Sequence, residues 1–325
     1  MIITQTPLRI SFVGGGTDLS DFYSQHGGAV ISSAIDKYVY VIVKERFDEL
    51  IHLNWSKKET VERVDQIEHE LIRETMRKTK VYKGVEITTI SDIPSEGSGL
   101  GSSSSVTVGL LQALYLYQGI IVDAERLAKE ACDIEINILG KPIGKQDQYI
   151  AAYGGLRHFE FKKNGSVITQ APQVNSDFIY ELGQNLMLFF TGKTRRSSEI
   201  LSEQKKKIID SANILKRMRD QSFEVLEAFN KKNLRLLGKA LEEGWKLKKK
   251  LAGGISNSDI DKMYNLAKRA GAIGGKIAGA GGGGFLLLFV PLGKQDDVRK
   301  VLSSHRELKF SLEKDGSKSI FNIRR

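Results

Sequence analysis

Cysteine is almost absent from this sequence, in which Cys132 is the single thiol among 325 residues. One thiol cannot form a disulfide within the chain, so we expect no disulfide framework and a reducing, cytoplasmic environment. Cys132 lies inside a helical pattern, where a small core residue is more typical than a nucleophile. The five histidines are scattered without the spacing of metal ligands, so the sequence predicts no zinc site.

Long hydrophobic runs are also missing. The longest, FLLLFV at residues 285–290, is far shorter than a membrane-spanning helix and predicts a buried strand. The first residues, MIITQTPLRISF, lack the basic and apolar regions of a secretory signal peptide. We therefore expect no membrane partner. With 41% hydrophobic residues the chain can bury a substantial core, and its length favours two domains.

Positive charge is in excess, because 49 Lys and Arg face 39 Asp and Glu and give a net charge of +10. Such an excess suits nucleic acid or a small acidic molecule such as a nucleotide or a sugar phosphate. Many lysines fall in the helical patterns QKKKIID (204–210) and WKLKKKL (245–251), where a solvated helix face explains them. No stretch combines basic residues with base-stacking aromatics. We therefore expect no nucleic-acid partner.

Glycine and serine are concentrated in IPSEGSGLGSSSSV, residues 93–106. Strand-like VEITTI (85–90) precedes this run and the apolar helical stretch VTVGLLQALYLYQG (106–119) follows it, which disfavours a flexible linker. Glycines allow the backbone to curl around an anion, and a helix that starts here directs its unpaired N–H groups and positive dipole end at the loop. The run therefore suits a polyphosphate. It is not a Walker A loop, because no Gly-Lys-Ser/Thr follows the glycines.

Strand and helix patterns are distributed unevenly along the chain. Strand patterns cluster early, where residues 29–35 and 38–45 predict two strands of a hairpin or meander. Helical patterns dominate later, and residues 198–251 predict a long helical region. This layout predicts an α+β protein whose domain boundary lies near residue 173.

Two further motifs are ambiguous when each is taken alone. In TPLRISFVGGGTDLSDFY (6–23), Arg9 lies in a strand that leads to a glycine turn and then to Asp18, and the two could form a structural ion pair. In GGKIAGAGGGGF (274–285), consecutive glycines allow close approach of a backbone or a ligand, but they are equally typical of a tight turn.

Together and in this order, the three motifs resemble those of the GHMP kinases, the family of galactokinase, homoserine kinase, mevalonate kinase and phosphomevalonate kinase. SEGSGLGSSSS is similar to the phosphate loop of the family, and KIAGAGGGGF to its C-terminal glycine motif. The resemblance extends from residue 4 to about residue 290. It implies a two-domain fold, with a ribosomal protein S5 domain 2-like domain over 1–172 and a ferredoxin-like domain over 173–325. ATP and a sugar would meet between the domains.

Three segments resemble one branch of the family, the heptose 7-phosphate kinases and their fucokinase-type relatives. They are PLRISFVGGGTDLSDFY (7–23), GKQDQYIAAYGG (144–155) and FFTGKTRRSSEIL (189–201). The resemblance implies ATP-dependent phosphorylation of an anomeric hydroxyl. The expected substrate is D-glycero-D-manno-heptose 7-phosphate and the product its 1,7-bisphosphate, a precursor of nucleotide-activated heptose for surface glycans.

Other functions stay open at this point. One is a 1-kinase for another sugar of the fucose or galactose type, and another is a non-catalytic sugar or nucleotide sensor on the same fold. Galactokinase has a Glu-His pair where this chain has Gly15-Gly16, which argues against galactose. A homodimer is compatible with the sequence.

The resemblance also assigns roles to individual residues. It implies that Asp147 is the catalytic base and that Arg9 is its basic partner, although an Asp at this position could also cap a helix. Ser103 and Glu135 are the expected Mg²⁺ ligands. The spacing from Glu135 to Asp147 is one residue longer than in mevalonate kinase, and a solvated helix carboxylate is the alternative for Glu135.

The remaining assignments concern the two substrates. ATP binding is expected from Pro94, Glu96, Gly97, Ser98, Gly99, Leu100, Gly101, Ser102, Ser103 and Ser104. Sugar binding is expected from Gly15, Gly16, Thr17, Asp18, Arg195, Gly281 and Gly282. Arg195 is a hypothesis from arginine chemistry, because a guanidinium suits bidentate phosphate binding, and a surface basic patch is its alternative.

Overall fold

Two β-sheets organise the residues that the computed structural model describes, which are 1–93, 97–194 and 197–323. The strands are β1 (Ile2–Val13), β2 (Gly28–Glu45), β3 (Ile51–Asn54), β4 (Lys58–Val61), β5 (Val85–Ser91), β6 (Leu156–Phe161), β7 (Val167–Gln170), β8 (Leu186–Phe190), β9 (Gly274–Ile277), β10 (Phe285–Phe289), β11 (Glu307–Leu308) and β12 (Lys318–Asn322). The α-helices are α1 (Ser20–His26), α2 (Glu70–Thr79), α3 (Ser102–Tyr117), α4 (Ala124–Cys132), α5 (Gln146–Tyr153), α6 (Ser176–Gln184), α7 (Ser197–Lys206), α8 (Ala212–Asn230), α9 (Leu234–Lys248), α10 (Ser258–Arg269) and α11 (Gln295–Val301). A π-helical segment, Asp133–Ile138, continues α4.

The larger sheet has the strand order β12-β1-β2-β5-β3-β4, with β6 also paired to β2 and β7 to β6. Strand β2 is a single strand of 18 residues, so the prediction of two strands joined by a turn is wrong. Its pairing with β1 jumps from Tyr38 opposite Pro7 to Ile35 opposite Leu8. The polar residues Asp36 and Lys37 therefore form a bulge in a continuous strand rather than a hairpin turn.

Helix α3 crosses this sheet and is buried nearly all round, which explains why its sequence is apolar without helical periodicity. Leu110 and Leu114 join the core beneath the sheet, whereas Leu111 and Tyr115 join a cluster with α4 and α5. Burial on both sides fixes the helix axis. The N-terminal end of α3 is consequently held at a defined position beside β1.

The smaller sheet is antiparallel, in the order β11-β8-β10-β9. All five residues of β10 are buried, which confirms the strand expected from the apolar run. The long helical region divides into α7, α8 and α9, separated by turns at residues 207–211 and 231–233. A separate core cluster, which includes Trp245 and Ile277, lies between this sheet and its helices.

The last strand, β12, returns to the larger sheet and pairs with β1. The C-terminal segment thus contributes strands to both sheets. The division into domains of residues 1–172 and 173–325 stays a prediction. Within the described part of the chain, no helix has the length and apolar character needed to cross a membrane.

Candidate active site

A cleft of about 570 Å³ lies where three glycine-rich loops meet between the two sheets. We call them loop A (residues 14–16), loop B (residues 97–101) and loop C (residues 278–284). Most of the predicted site residues line this cleft, although they come from distant parts of the chain. They are Arg9, Gly15, Gly16, Asp18, Gly97, Ser98, Gly99, Gly101, Ser102, Ser103, Ser104, Glu135, Asp147 and Gly281.

Loop B takes a conformation that favours glycine at three positions. Gly97, Gly99 and Gly101 have φ angles of +72°, +74° and +81°. A Cβ atom on Gly99 would lie 2.6 Å from the carbonyl oxygen of Ala278, so loops B and C pack backbone against backbone. Gly101 is the N-cap of α3 and has no side chain to occupy the first N–H groups of the helix. This leaves a helix N-terminus that suits an anion.

The serines after loop B have different surroundings. The hydroxyls of Ser98 and Ser102 lie 3.2 Å apart at the base of the loop. Ser105 donates to the carbonyl of Pro7 at 2.8 Å and so attaches α3 to β1. Ser103 instead donates to Glu135 Oε2 at 3.1 Å. Only part of the serine run therefore anchors the helix, and Ser103 contacts a carboxylate at the cleft wall.

Arg9 and Asp147 form a bidentate ion pair in the middle of the cleft. Arg9 Nε donates to Asp147 Oδ1 at 2.7 Å, and Nη2 donates to Oδ2 at 2.6 Å. The remaining terminal nitrogen of Arg9 donates to the carbonyl of Gly99 at 2.5 Å, which ties the pair to loop B. Arg9 is buried, whereas the carboxylate is about a quarter exposed. The alternative pairing of Arg9 with Asp18 is not what the structure contains.

Asp18 lies beside this pair and accepts backbone hydrogen bonds instead. Its two oxygens receive N–H groups from Gly16 at 3.0 Å and Gln146 at 3.2 Å. Burial raises the pKa of Asp18, and the nearby charge of Asp147 raises it further. A Cβ atom on Gly144 would lie 1.9 Å from the carboxylate, so only glycine leaves room for Asp18 here.

Glu135 is fully buried in the π-helical segment, so the alternative of a solvated helix carboxylate is wrong. It accepts hydrogen bonds from Ser103 and from Gln148 Nε2 at 3.3 Å. Burial raises the pKa of Glu135, and the charge of Lys141 opposes the shift. A carboxylate and a hydroxyl 3.1 Å apart at one wall are oxygen donors of the kind that Mg²⁺ prefers.

These two ligands alone do not make a closed metal site. The described residues include no group of three or more His, Cys, Asp or Glu side chains that could hold a metal ion. Mg²⁺ commonly takes one or two protein oxygens and completes its shell with phosphates and water. Ser103 and Glu135 therefore fit a metal that arrives with a nucleotide.

Some predicted site residues lie outside the cleft wall. Thr17 exchanges hydrogen bonds with the backbone of Ala29, and the N–H of Gly282 donates to a loop carbonyl at 2.8 Å. Leu100 is buried and accepts the backbone N–H of Arg9 at 2.9 Å. Pro94, Glu96 and Arg195 lie outside the described residues.

Polar residues that were not predicted from the sequence also line the cleft, among them Lys141, Gln146, Lys248 and Lys276. The lysines of residues 245–251 were expected on a solvated face, and for Lys248 this is wrong because it is 5% exposed. It lies one helical turn after the buried Trp245, so helical spacing could have placed it inward.

Comparison with known proteins agrees with this arrangement. The family model for the N-terminal domain of GHMP kinases matches residues 69–155, and the model for their C-terminal domain matches residues 225–307. The chain belongs to the GHMP kinase family. The predicted two-domain GHMP kinase fold, of mixed α and β content, is thereby confirmed.

Individual members of the family resemble the chain over its whole length. A D-glycero-alpha-D-manno-heptose 7-phosphate kinase from Campylobacter jejuni is 30% identical over 98% of each chain. The crystal structure of a D-glycero-D-manno-heptose 1-phosphate kinase from Bacteroides thetaiotaomicron superposes with a TM-score of 0.83, at 26% identity, over 100% of each chain. Galactokinase from Lactococcus lactis shares the fold, with a TM-score of 0.77 over 98% of this chain and 94% of its own, at 18% identity.

Membership of the GHMP kinases fixes the enzyme class. The protein is a sugar kinase, that is, a phosphotransferase, and kinases of this family use ATP. The cleft agrees with this class, because a helix N-terminus and a guanidinium–carboxylate pair meet within it.

Proposed function

We propose that this GHMP kinase transfers the terminal phosphoryl group of ATP to the anomeric hydroxyl of D-glycero-D-manno-heptose 7-phosphate. The product would be the 1,7-bisphosphate, used to make nucleotide-activated heptose for surface glycans. The similarity to heptose phosphate kinases over the full chain supports the choice of sugar. The observation that carries the proposed chemistry is the Arg9–Asp147 pair beside the N-terminus of α3.

Asp147 is proposed to accept the proton of the attacking hydroxyl. Two hydrogen bonds from Arg9 fix the plane of the carboxylate, and its partial exposure leaves it accessible from the cleft. Phosphoryl transfer needs mainly an oriented hydroxyl, an acceptor for its proton and stabilisation of charge on the transferred group. Arg9 can also stabilise the charge on the transferred group, because its third hydrogen bond holds the guanidinium against loop B.

ATP is proposed to bind with its phosphates over loop B and the first turn of α3. Backbone N–H groups and the hydroxyls of Ser102, Ser103 and Ser104 would contact the phosphate oxygens. Ser103 and Glu135 would hold Mg²⁺, which offsets the negative charge of the phosphates when bound. ATP binding by Pro94 and Glu96, which come just before loop B in the sequence, stays a prediction.

The sugar is proposed to lie between loop A and loop C. Gly15 and Gly16 leave room for a bulky ring, and Asp18 is the candidate acceptor for sugar hydroxyls. Gly281 of loop C also lines the cleft. Thr17 and Gly282 support these loops from behind, and Arg195 stays a candidate for the distal phosphate.

Product identification tests the function. The protein is incubated with ATP, Mg²⁺ and a panel of sugars that includes heptose 7-phosphate, unphosphorylated heptose, fucose and galactose, and products are assigned by NMR and mass spectrometry. We expect phosphate on the anomeric oxygen, with heptose 7-phosphate the best substrate. Faster turnover of another sugar would replace the heptose assignment, and binding without turnover of any sugar would favour a sensor.

A further inference from the structure

Two buried lysines form part of the cleft where the smaller sheet closes it. Lys276 lies in β9 and Lys248 is the last residue of α9, and each is 5% exposed. Both line the cleft. In the part of the chain that the structure describes, neither ammonium group forms an ion pair with a carboxylate. Two lysine amino groups therefore lie in the protein interior without a paired anion.

The two lysines differ in how many of their N–H donors are used. Lys248 donates to the carbonyls of Ile277 and Gly279, so it holds the start of loop C against α9. Lys276 donates to the carbonyl of Phe12 at 3.1 Å, just before loop A. An ammonium has three donors. Among the described residues, Lys276 thus keeps two N–H groups for another acceptor.

The surroundings of Lys276 disfavour the charged form of its amino group. Burial, together with the charge of Arg9 on β1, lowers the pKa of Lys276 to about 7, and Asp18 beside loop A opposes the shift. Lys248 on α9 lies close enough to interact with Lys276, and burial lowers the pKa of Lys248 well below its usual value. A bound anion would offset the cost of keeping these groups charged.

We propose that Lys276 donates hydrogen bonds to a phosphate oxygen in the part of the cleft lined by Arg9 and Asp18. The inference rests on the proposed kinase function and adds a residue to it. Phosphate could come from two sources, the phosphoryl group in transfer or the phosphate that the sugar already carries. Lys248 is a positioning residue in this arrangement, because its donors are directed to loop C.

Three variants separate charge from structure at this position. Lys276→Met removes both charge and donors, Lys276→Gln keeps a donor for Phe12 without the charge, and Lys276→Arg keeps the charge. We expect kcat/KM to fall about 100-fold in the Met and Gln variants and to recover largely in the Arg variant. Lys268→Met is the matched control, because Lys268 also donates to a backbone carbonyl, that of Ile273, away from the cleft.

Comparison of phosphorylated and unphosphorylated heptose identifies the source of the phosphate. A fall in kcat with both sugars assigns Lys276 to the transferred group, whereas a rise in KM for the phosphorylated sugar alone assigns it to the sugar phosphate. If the Met and Gln variants both stay within about threefold of the wild-type kcat/KM for both sugars, the inference is wrong. If the Gln variant kept wild-type activity and the Met variant lost it, Lys276 would serve to hold the Phe12 carbonyl and would not bind phosphate.

Calorimetry gives a readout that does not depend on turnover. A phosphate next to Lys276 raises the pKa of its ammonium, so at about pH 7.5 binding takes up protons. Titrations with heptose 7-phosphate and with a non-hydrolysable ATP analogue, each in buffers of different ionisation enthalpy, measure this uptake. We expect it to disappear in Lys276→Arg for one of the two ligands. Equal uptake by wild type and variant with both ligands would overturn the inference even if the wild-type enzyme used another sugar.

Discussion

The Asp147 carboxylate receives two donors from Arg9, and this pair decides what a conservative substitution does. In Asp147→Asn the side chain keeps its shape, but one oxygen becomes an NH2 group that faces the guanidinium and cannot take a proton. We expect kcat to fall about 10²- to 10⁴-fold while the dissociation constant for nucleotide stays near the wild-type value. Steady-state kinetics and calorimetry check both. Asp297→Asn, an exposed surface change, is the control, and wild-type turnover by Asp147→Asn would end the assignment.

Glu135 provides a second prediction at the residue scale. In Glu135→Gln the hydrogen bonds to Ser103 and Gln148 can be kept, but the charge that would hold a metal is lost. We expect the Mg²⁺ concentration for half-maximal rate to rise about 10-fold or more.

Stability separates this role from a structural one. Removal of an unpaired buried charge should leave the melting temperature of Glu135→Gln unchanged or higher. Glu227→Gln, in an exposed ion pair with Lys231, controls for a general charge effect. The metal role fails if the rate of Glu135→Gln depends on Mg²⁺ as the wild-type rate does.

Single residues also show how far sequence reasoning reaches. Motifs identified Arg9 and Asp147, but they lie 138 positions apart, and nothing in either motif states that their side chains meet. Only the family resemblance implied that contact. The family resemblance also implied that Ser103 and Glu135 act together, and their side chains form a hydrogen bond. Lys276 lies inside a recognised motif, yet its burial depends on how β9 packs against β1, which local spacing does not encode.

Secondary structure was predictable where a pattern is local. The strands at 85–91 and 285–289 follow from the apolar patterns of residues 85–90 and 285–290. The bulge in β2 was missed because an Asp-Lys pair between apolar runs resembles a turn, and only the pairing with β1 keeps the strand continuous. The π-helical segment at 133–138 was also missed. A π turn accommodates an extra residue, which fits the longer spacing between Glu135 and Asp147.

Loop B tests whether contact between loops matters. Gly99 has a φ of +74°, and a Cβ there would lie 2.6 Å from the Ala278 carbonyl, so Gly99→Ala must separate loops B and C. We expect kcat/KM to fall at least about 10-fold and the free energy of unfolding to fall by about 1–3 kcal/mol. Gly293→Ala is the matched control, because a Cβ at this position meets nothing within 4 Å.

Enzyme kinetics and urea unfolding of both glycine variants give the answer. Wild-type activity of Gly99→Ala would mean that loop B moves without consequence. Equal losses in Gly293→Ala would mean that the effect is a general one of removing glycine.

At the scale of the whole molecule, the two sheets are joined in a way that the order of elements along the chain does not reveal. Strand β12 follows all the elements of the smaller sheet, yet it pairs with β1 of the larger one. Helix α8 packs against the larger sheet as well, through His158 on β6 and Ser222 on the helix. Dividing the chain into two consecutive domains could not predict that β12 and α8 pack on the larger sheet. Such long-range pairing depends on the surfaces that earlier elements leave uncovered.

The contact between β6 and α8 makes the stability of the molecule depend on pH. His158 Nε2 lies 3.3 Å from the Ser222 hydroxyl, and the ring packs edge-on against Phe223. Burial lowers the pKa of His158 to about 4. His158 is therefore less protonated in the folded protein than in the unfolded chain below about pH 6.5, and the stability that its neutral form contributes above that pH is lost as the pH falls. From neutral pH to about pH 4.5 this loss amounts to about 2.5 kcal/mol.

Comparison with His158→Gln isolates this contribution. The buried carboxyl groups of Asp18 and Glu135 have raised pKa values and change stability in the opposite direction, but they are present in both proteins and cancel in the difference. Urea unfolding at pH 7 and at about pH 4.5 measures the difference in unfolding free energy between wild type and variant. We expect the wild type to lose about 2.5 kcal/mol relative to the variant on acidification. A difference that stays constant with pH would show that His158 does not remain neutral at this junction, and that the sheet and α8 stay together for other reasons.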